Sequence, residues 1–273
     1  MLGLDSRETE TGIPPAYNAV STQTSRFIAQ ANSIILARQD LSLNEAKFIR
    51  LIMMQIFYDD QDFRSYAISL DELGSFFGWE NKRELARRAE SFCSGIMRKT
   101  FQVINGNGDW LMAHWVEECR YDAGARIIYV RLSEIIKPYL LNLRGFYTQY
   151  RLSDILQFRS VASIRLYEML LEEQHKRYTG KNGEDVYLSI SQIRDGLMLY
   201  KEDGKGGYQK ERGRLVPAYS QVSMLRKKVI DVAIREISEK TTYRVSCAPV
   251  KKGKKYIGFQ FRIYGCHVPK NEK

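Results

Sequence analysis

The side chains in this sequence that could carry chemistry are basic and polar rather than catalytic. The three histidines, His114, His175 and His267, form no close pair, so the local sequence lacks the histidine couple that a metal-dependent nicking nuclease requires. The four cysteines, Cys93, Cys119, Cys247 and Cys266, include no C-x-x-C and read as reduced thiols without zinc or disulfide-framework spacing. Gly204-Lys205-Gly206-Gly207 lacks the G-x-x-x-x-G-K-[ST] pattern of a phosphate loop and reads as a flexible loop. With 17 tyrosines, no single one stands out as a nucleophile. No catalytic set, metal or cofactor is expected.

Two groups of cations near the C-terminal end do stand out. Residues 201–273 hold 18 Lys/Arg against 7 Asp/Glu, whereas residues 1–200 are nearly balanced at 24 against 25. The first group lies on a helix expected over about 220–239. There Val222, Leu225, Val229 and Ala233 follow three-and-four spacing and form the buried stripe. Lys227 and Lys228 then point away from that stripe. Gln221, Ser223, Arg226 and Lys227 crowd the front of the helix. An α-helix fits the major groove of duplex DNA, where Arg or Gln can distinguish base edges while lysines hold phosphates. Arg226 sits nearer the stripe than Lys227, but its long stem can reach round the helix edge. It is the preferred base reader.

The second group is Lys251, Lys252, Lys254 and Lys255 around Gly253, between strands expected at 243–247 and 256–264. This reads as a hairpin tip suited to phosphate or groove-edge contact beside the helix. Each group taken alone also fits a solvated surface. Their adjacency favours a polyanionic partner, as does the formal charge of +10 with a pI near 9.3. A weaker set, Lys82, Arg83, Arg87 and Arg88, lies on a helix expected over 82–99, where Glu84 and Glu90 interrupt the positive field.

The positioning elements form a repeated order. Ser42 and Glu45 have capping-box spacing ahead of an apolar helical face expected to run to about Tyr58. Ser69 and Glu72 open a short helix, and Leu85, Ala89, Phe92 and Ile96 make one stripe along the next. Strands are expected at Phe101–Ile104, Trp110–Cys119 and Arg126–Leu132. The order then recurs: a helix over 160–176, a third box at Ser189 and Gln192, a Gly- and charge-rich loop over 201–214, the long basic helix and the basic hairpin. Tyr66, Phe77, Trp79, Trp110 and Trp115 read as core aromatics.

This order predicts an α+β protein of two tandem winged-helix domains, each with a helical core and a β-hairpin wing. A flexible arm is expected over 1–32, the first domain over 33–146, the second over 147–264 and a tail over 265–273. With 273 residues and 44% hydrophobic side chains, the chain is long enough for two cores. The longest apolar runs are only a few residues, and no export signal or membrane partner is expected, which makes the cytoplasm the default.

Several stretches resemble the iteron-binding plasmid replication initiator family. Ala31-Asn32-Ser33-Ile34-Ile35-Leu36-Ala37-Arg38-Gln39-Asp40-Leu41-Ser42-Leu43-Asn44-Glu45-Ala46-Lys47 is similar to the family's opening. Gly145-Phe146-Tyr147-Thr148-Gln149-Tyr150 and Ser163-Ile164-Arg165-Leu166-Tyr167-Glu168-Met169-Leu170 are the most specific. Leu225 to Ile237 is the third match, with Val232 where the family usually has proline. The resemblance implies double-stranded origin repeats as partner, a monomer active in initiation, and a dimer joined mainly through the first domain that represses its own promoter. It also implies host replication proteins as partners in a bacterial, plasmid- or nucleoid-associated setting. Arg165-Leu166-Tyr167-Glu168 is expected to stabilise the second domain, with an Arg165–Glu168 contact. A partitioning or nucleoid-associated DNA-binding protein, or a tyrosine-dependent nicking enzyme, are the other readings of the same basic surface.

Overall fold

The computed structural model describes residues 26–81, 84–177, 184–205 and 207–265, with the side chains of 175–177 excepted. In chain order the elements are β1 (Phe27–Ala31), α1 (Asn32–Leu36), β2 (Arg38–Gln39), α2 (Leu43–Met53), β3 (Tyr66–Ser69), α3 (Leu70–Phe77) and α4 (Leu85–Ile96). Next come β4 (Thr100–Ile104), β5 (Trp110–His114), β6 (Val116–Asp122) and β7 (Ile127–Leu132), followed by a 3-10 segment, Glu134–Tyr139. The chain continues through β8 (Tyr147–Arg151), α5 (Leu152–Gln157), α6 (Val161–Arg177), β9 (Glu184–Ser189), α7 (Ile190–Gly196), β10 (Lys210–Glu211) and β11 (Arg214–Leu215). The last of the described elements are α8 (Val222–Leu225), a π-helical turn (Arg226–Ile230), α9 (Asp231–Lys240), β12 (Arg244–Lys252) and β13 (Lys255–Tyr264).

The two units are built to one plan. In each, a strand runs directly into a short helix capped by serine: Ser69 Oγ accepts the backbone N–H of Glu72, and Ser189 Oγ accepts that of Gln192. Such caps satisfy amides that the first helical turn leaves unpaired. A longer helix and an antiparallel hairpin follow, and the entry strand then pairs with the hairpin's second strand. The resulting sheets, β3-β7-β6 and β9-β13-β12, have the same order. This is an α+β architecture of tandem winged helices. The wing of the first unit is therefore β6–β7, and β2-β4-β5 is a separate sheet inserted ahead of it.

Several boundaries differ from the sequence pattern. The helix expected to reach Tyr58 ends at Met53, where three-residue backbone turns take over, and Tyr58 is exposed with no apolar surface to cover. The strand expected over Trp110–Cys119 is two strands in two sheets, divided at Trp115. That indole is fully buried against Phe101, with ring centroids 5.0 Å apart, and its Nε1 donates to the Thr100 carbonyl at 3.2 Å. Burying so large a ring and satisfying its N–H fixes the corner. Within the region read as an arm, Phe27–Ala31 pairs antiparallel with Tyr147–Arg151, so the first strand closes on the start of the second half.

The seam between the halves is polar and buried. The guanidinium of Arg50 on α2 donates from Nε and Nη2 to Glu168 on α6, both at 2.9 Å, and both side chains are fully enclosed. Arg165 adds a 2.8 Å contact to the same carboxylate and also donates to the carbonyls of Gly196, Ile35 and Ala37. The expected Arg165–Glu168 contact is thus present, but it ties both halves together rather than bracing one. Tyr150 donates its hydroxyl to Glu168, and Gln30 donates to Tyr150. At the rim, Arg38 pairs with Asp195, which also accepts the Tyr200 hydroxyl, and Tyr208 donates to Asp40.

Candidate nucleic-acid interface

The long basic helix is not continuous α-helix. Gln221 is its exposed N-cap residue, α8 lasts four residues, and Arg226–Ile230 then widens into a π turn that ends where the Asp231 N–H donates to the Arg226 carbonyl. Leu225, Val229, Ile230, Ala233 and Ile237 face the core, whereas Ser223, Lys227 and Lys228 are exposed. Ile230 stands three residues before Ala233 and seven before Ile237, so it shares the buried face of α9. π turns inserted in α-helices occur disproportionately at functional positions.

Arg226 is half-buried, with its Nε 3.4 Å from the Asp231 carboxylate. The two line a small groove of about 160 Å³ between helix and wing, together with Ser223, Pro249, Tyr256 and Phe259. The wing's far end is a two-residue turn, Gly253-Lys254, with Gly253 at φ +61°. A positive φ is natural for glycine and lets the strands reverse tightly with their own twist. Lys251, Lys252, Lys254 and Lys255 are all exposed around it, and the Lys251 ammonium lies 4.5 Å from the centre of the Tyr256 ring.

The structure thus brings together Ser223, Arg226 and Lys227 with the wing, and places Gln221 and Lys228 on the same helix. The first-unit set is arranged differently. Arg87 and Arg88 on α4 are exposed but share Glu84, at 3.6 and 3.4 Å, so their field is partly spent within the helix. Lys82 and Arg83 lie outside the described residues. Of the aromatics, Tyr66 and Trp115 are buried and Phe77 and Trp79 pack with Phe92, but Trp110 is exposed.

Sequence patterning missed one basic element. The expected loop over 201–214 contains the β10–β11 hairpin, in which Arg212 and Gly213 both have positive φ, and Lys210, Arg212 and Arg214 are exposed. The Arg-Gly pair was the available signal, since glycine supports such a turn, but two-residue strands leave no alternation to read. Among the described residues no cluster of three or more His, Cys, Asp or Glu could hold a metal ion, and no helix is long and apolar enough to cross a membrane.

Residues 27–171 match the family described as "Initiator Replication protein, WH1", and residues 210–263 match "Initiator Rep protein, WH2". Among solved structures, the Pi initiator protein in complex with iteron DNA superposes with a TM-score of 0.70 at 16% identity, covering 90% of this chain and 99% of that one. Domains 2 and 3 of RctB give a TM-score of 0.42 at 10% identity, covering 84% of this chain and 85% of that one. With its first winged-helix region matched over more than half of the sequence and its second matched in order, the chain belongs to the initiator replication protein family.

Proposed function

We propose that this replication initiator works by binding repeated double-stranded DNA sites at a plasmid origin, reading bases with the front of the α8–α9 helix and gripping phosphates with the β12–β13 wing. The observation that carries this reading is the convergence of exposed Ser223 and Lys227 with Arg226 and the wing residues Pro249, Tyr256 and Phe259 on one groove, with the Lys251 ammonium over the Tyr256 ring and the other wing lysines exposed on the same hairpin. Gln221, Ser223, Arg226 and Lys227 are the base-contact residues, and Lys228, Lys251, Lys252, Lys254 and Lys255 the phosphate contacts. Arg87 and Arg88, with Lys82 and Arg83, supply a weaker second contact. The Pi initiator, which shares the fold, is described in complex with iteron DNA, and this supports the same class of ligand.

The same reading includes a monomer that initiates and a dimer that represses, host replication proteins as partners, and a bacterial cytoplasmic, plasmid-associated setting. An exposed apolar strip on one face of the β4–β5 hairpin, formed by Ile104, Trp110 and Met112, supports a first-unit dimer contact. Replication of a minimal origin supplied with this protein tests the proposal. Duplex binding without replication of that origin would transfer the protein to the partitioning or nucleoid-associated class.

A further inference from the structure

Two half-buried cysteines meet in the first unit, away from the basic groove. Cys93 lies on α4 and Cys119 on β6, where helix packs on sheet, and the two thiols are near enough to shift one another's proton affinity. Both line an open groove of about 640 Å³ walled by Ala89, Met97, Tyr121 and Ile128, with Arg87 on its margin. The groove is wide enough to admit a small uncharged molecule to the two sulfurs.

The two thiols are not equivalent. The neighbouring Cys119 thiol holds the Cys93 thiol below its ordinary pKa, while the nearness of Cys93 and burial push Cys119 up. The thiolate is the reacting form, so one sulfur is prepared to attack and its neighbour to resolve. Nothing in the DNA-binding reading uses either cysteine.

We propose that Cys93 and Cys119 form a reversible modification site that a hydroperoxide oxidises to a disulfide, fastening helix α4 to strand β6. The Cys93 thiolate attacks the terminal peroxide oxygen, breaking the O–O bond, and becomes a sulfenic acid. The leaving oxygen takes a proton and departs as water or alcohol. The Cys119 sulfur then attacks the Cys93 sulfur, the S–O bond breaks, and a molecule of water leaves with the Cys119 proton. Two thiols lose two electrons in total and the peroxide gains them. Exchange with a small dithiol reverses the link, as expected of transient cytosolic disulfides. Because α4 carries Arg87 and Arg88, the oxidised state would hold those cations at a fixed distance from the first wing.

The test is non-reducing peptide mapping of the full chain after limited hydrogen peroxide, without reference to DNA. The expected product is a peptide linking Cys93 to Cys119, lighter than the two free peptides by two hydrogens and released by dithiothreitol. In Cys119→Ser, which cannot resolve, a dimedone adduct should accumulate at Cys93. In Cys93→Ser neither product should form. A link through Cys247 or Cys266 instead, or methionine oxidation before any thiol loss, would overturn the proposal. The wild-type map decides the matter even if a serine variant folds poorly.

Discussion

Arg226 and Asp231 stand five residues apart and pair at 3.4 Å. In an uninterrupted α-helix residues at that spacing point about 140° apart around the axis. The π turn between them adds a residue to one turn and brings the carboxylate beneath the guanidinium. A helix that is α-helical on either side therefore presents its arginine already oriented toward the wing groove.

Replacing Arg226 with alanine should weaken a cognate repeat more than a scrambled duplex, by roughly 1–3 kcal/mol of discrimination if the arginine makes a bidentate base contact. Binding titrations on both duplexes measure it. An unchanged ratio with the fold intact would remove Arg226 from the base-reading role. Asp231→Asn, which keeps the shape but loses the charge, should lower discrimination while raising affinity for the scrambled duplex.

Lys252→Ala should behave in the opposite manner. Its ammonium is exposed on the wing, and loss of one phosphate contact should weaken cognate and scrambled duplexes alike. The slope of log affinity against log salt should fall by about one phosphate-equivalent. A selective effect on the cognate duplex would assign Lys252 to base reading instead.

Glu168 gives a stability prediction with a definite pH sign. Burial pushes its carboxyl up, but Arg50 and Arg165, with hydrogen bonds from Arg50 and Tyr150, outweigh burial and hold it below the ordinary value of 4.5. A depressed folded value contributes stability above pH 4.5, and that contribution is lost as pH falls through the folded value. Glu168→Gln leaves two buried guanidinium groups without their anion and should cost about 3–5 kcal/mol near neutrality. Urea midpoints at pH 7 and pH 4 should show the gap between wild type and variant narrowing in acid. A constant gap would contradict this assignment.

Trp110 is 64% exposed on the β4–β5 hairpin. Trp110→Ser should leave the thermal midpoint nearly unchanged, because the ring buries little within the chain, while shifting the monomer–dimer balance toward monomer. Sedimentation across concentration reads both species. If wild type is monomeric at every concentration, the dimer reading fails.

Local signals in the sequence were the readable ones. Ser42 with Glu45 and Ser189 with Gln192 form capping boxes in the structure, as three-residue spacing predicts, because both partners lie in one helical turn. Leu85, Ala89 and Ile96 are buried along α4 as their period requires. Arg165 and Glu168 are three apart and meet. Arg50 lies 118 positions from Glu168, and no periodicity announces a partner at that distance. The π turn was equally hidden, since Val222, Leu225, Val229 and Ala233 fit ordinary α-helical spacing and give no warning of a wider turn. In the candidate interface the cation-bearing residues were legible from charge clustering. The Asp231 partner was not, because five-residue spacing carries no meaning until the backbone departs from the α-helix.

The pairing of β1 with β8 bears on how the polypeptide acquires its shape during synthesis. Gln30 cannot find Tyr150 until the ribosome has added the 120 positions that separate them. At typical elongation rates that wait is about 6–24 s, long compared with the microseconds in which a helix or hairpin forms. For that interval the N-terminal strand leaves the exit tunnel without its neighbour, and its unpaired amides are open to any passing edge. A fragment cut at residue 146 would keep this vacancy permanently. One extended through α6, by contrast, would carry both β8 and Glu168, and should be the shorter piece that stays monodisperse when expressed alone.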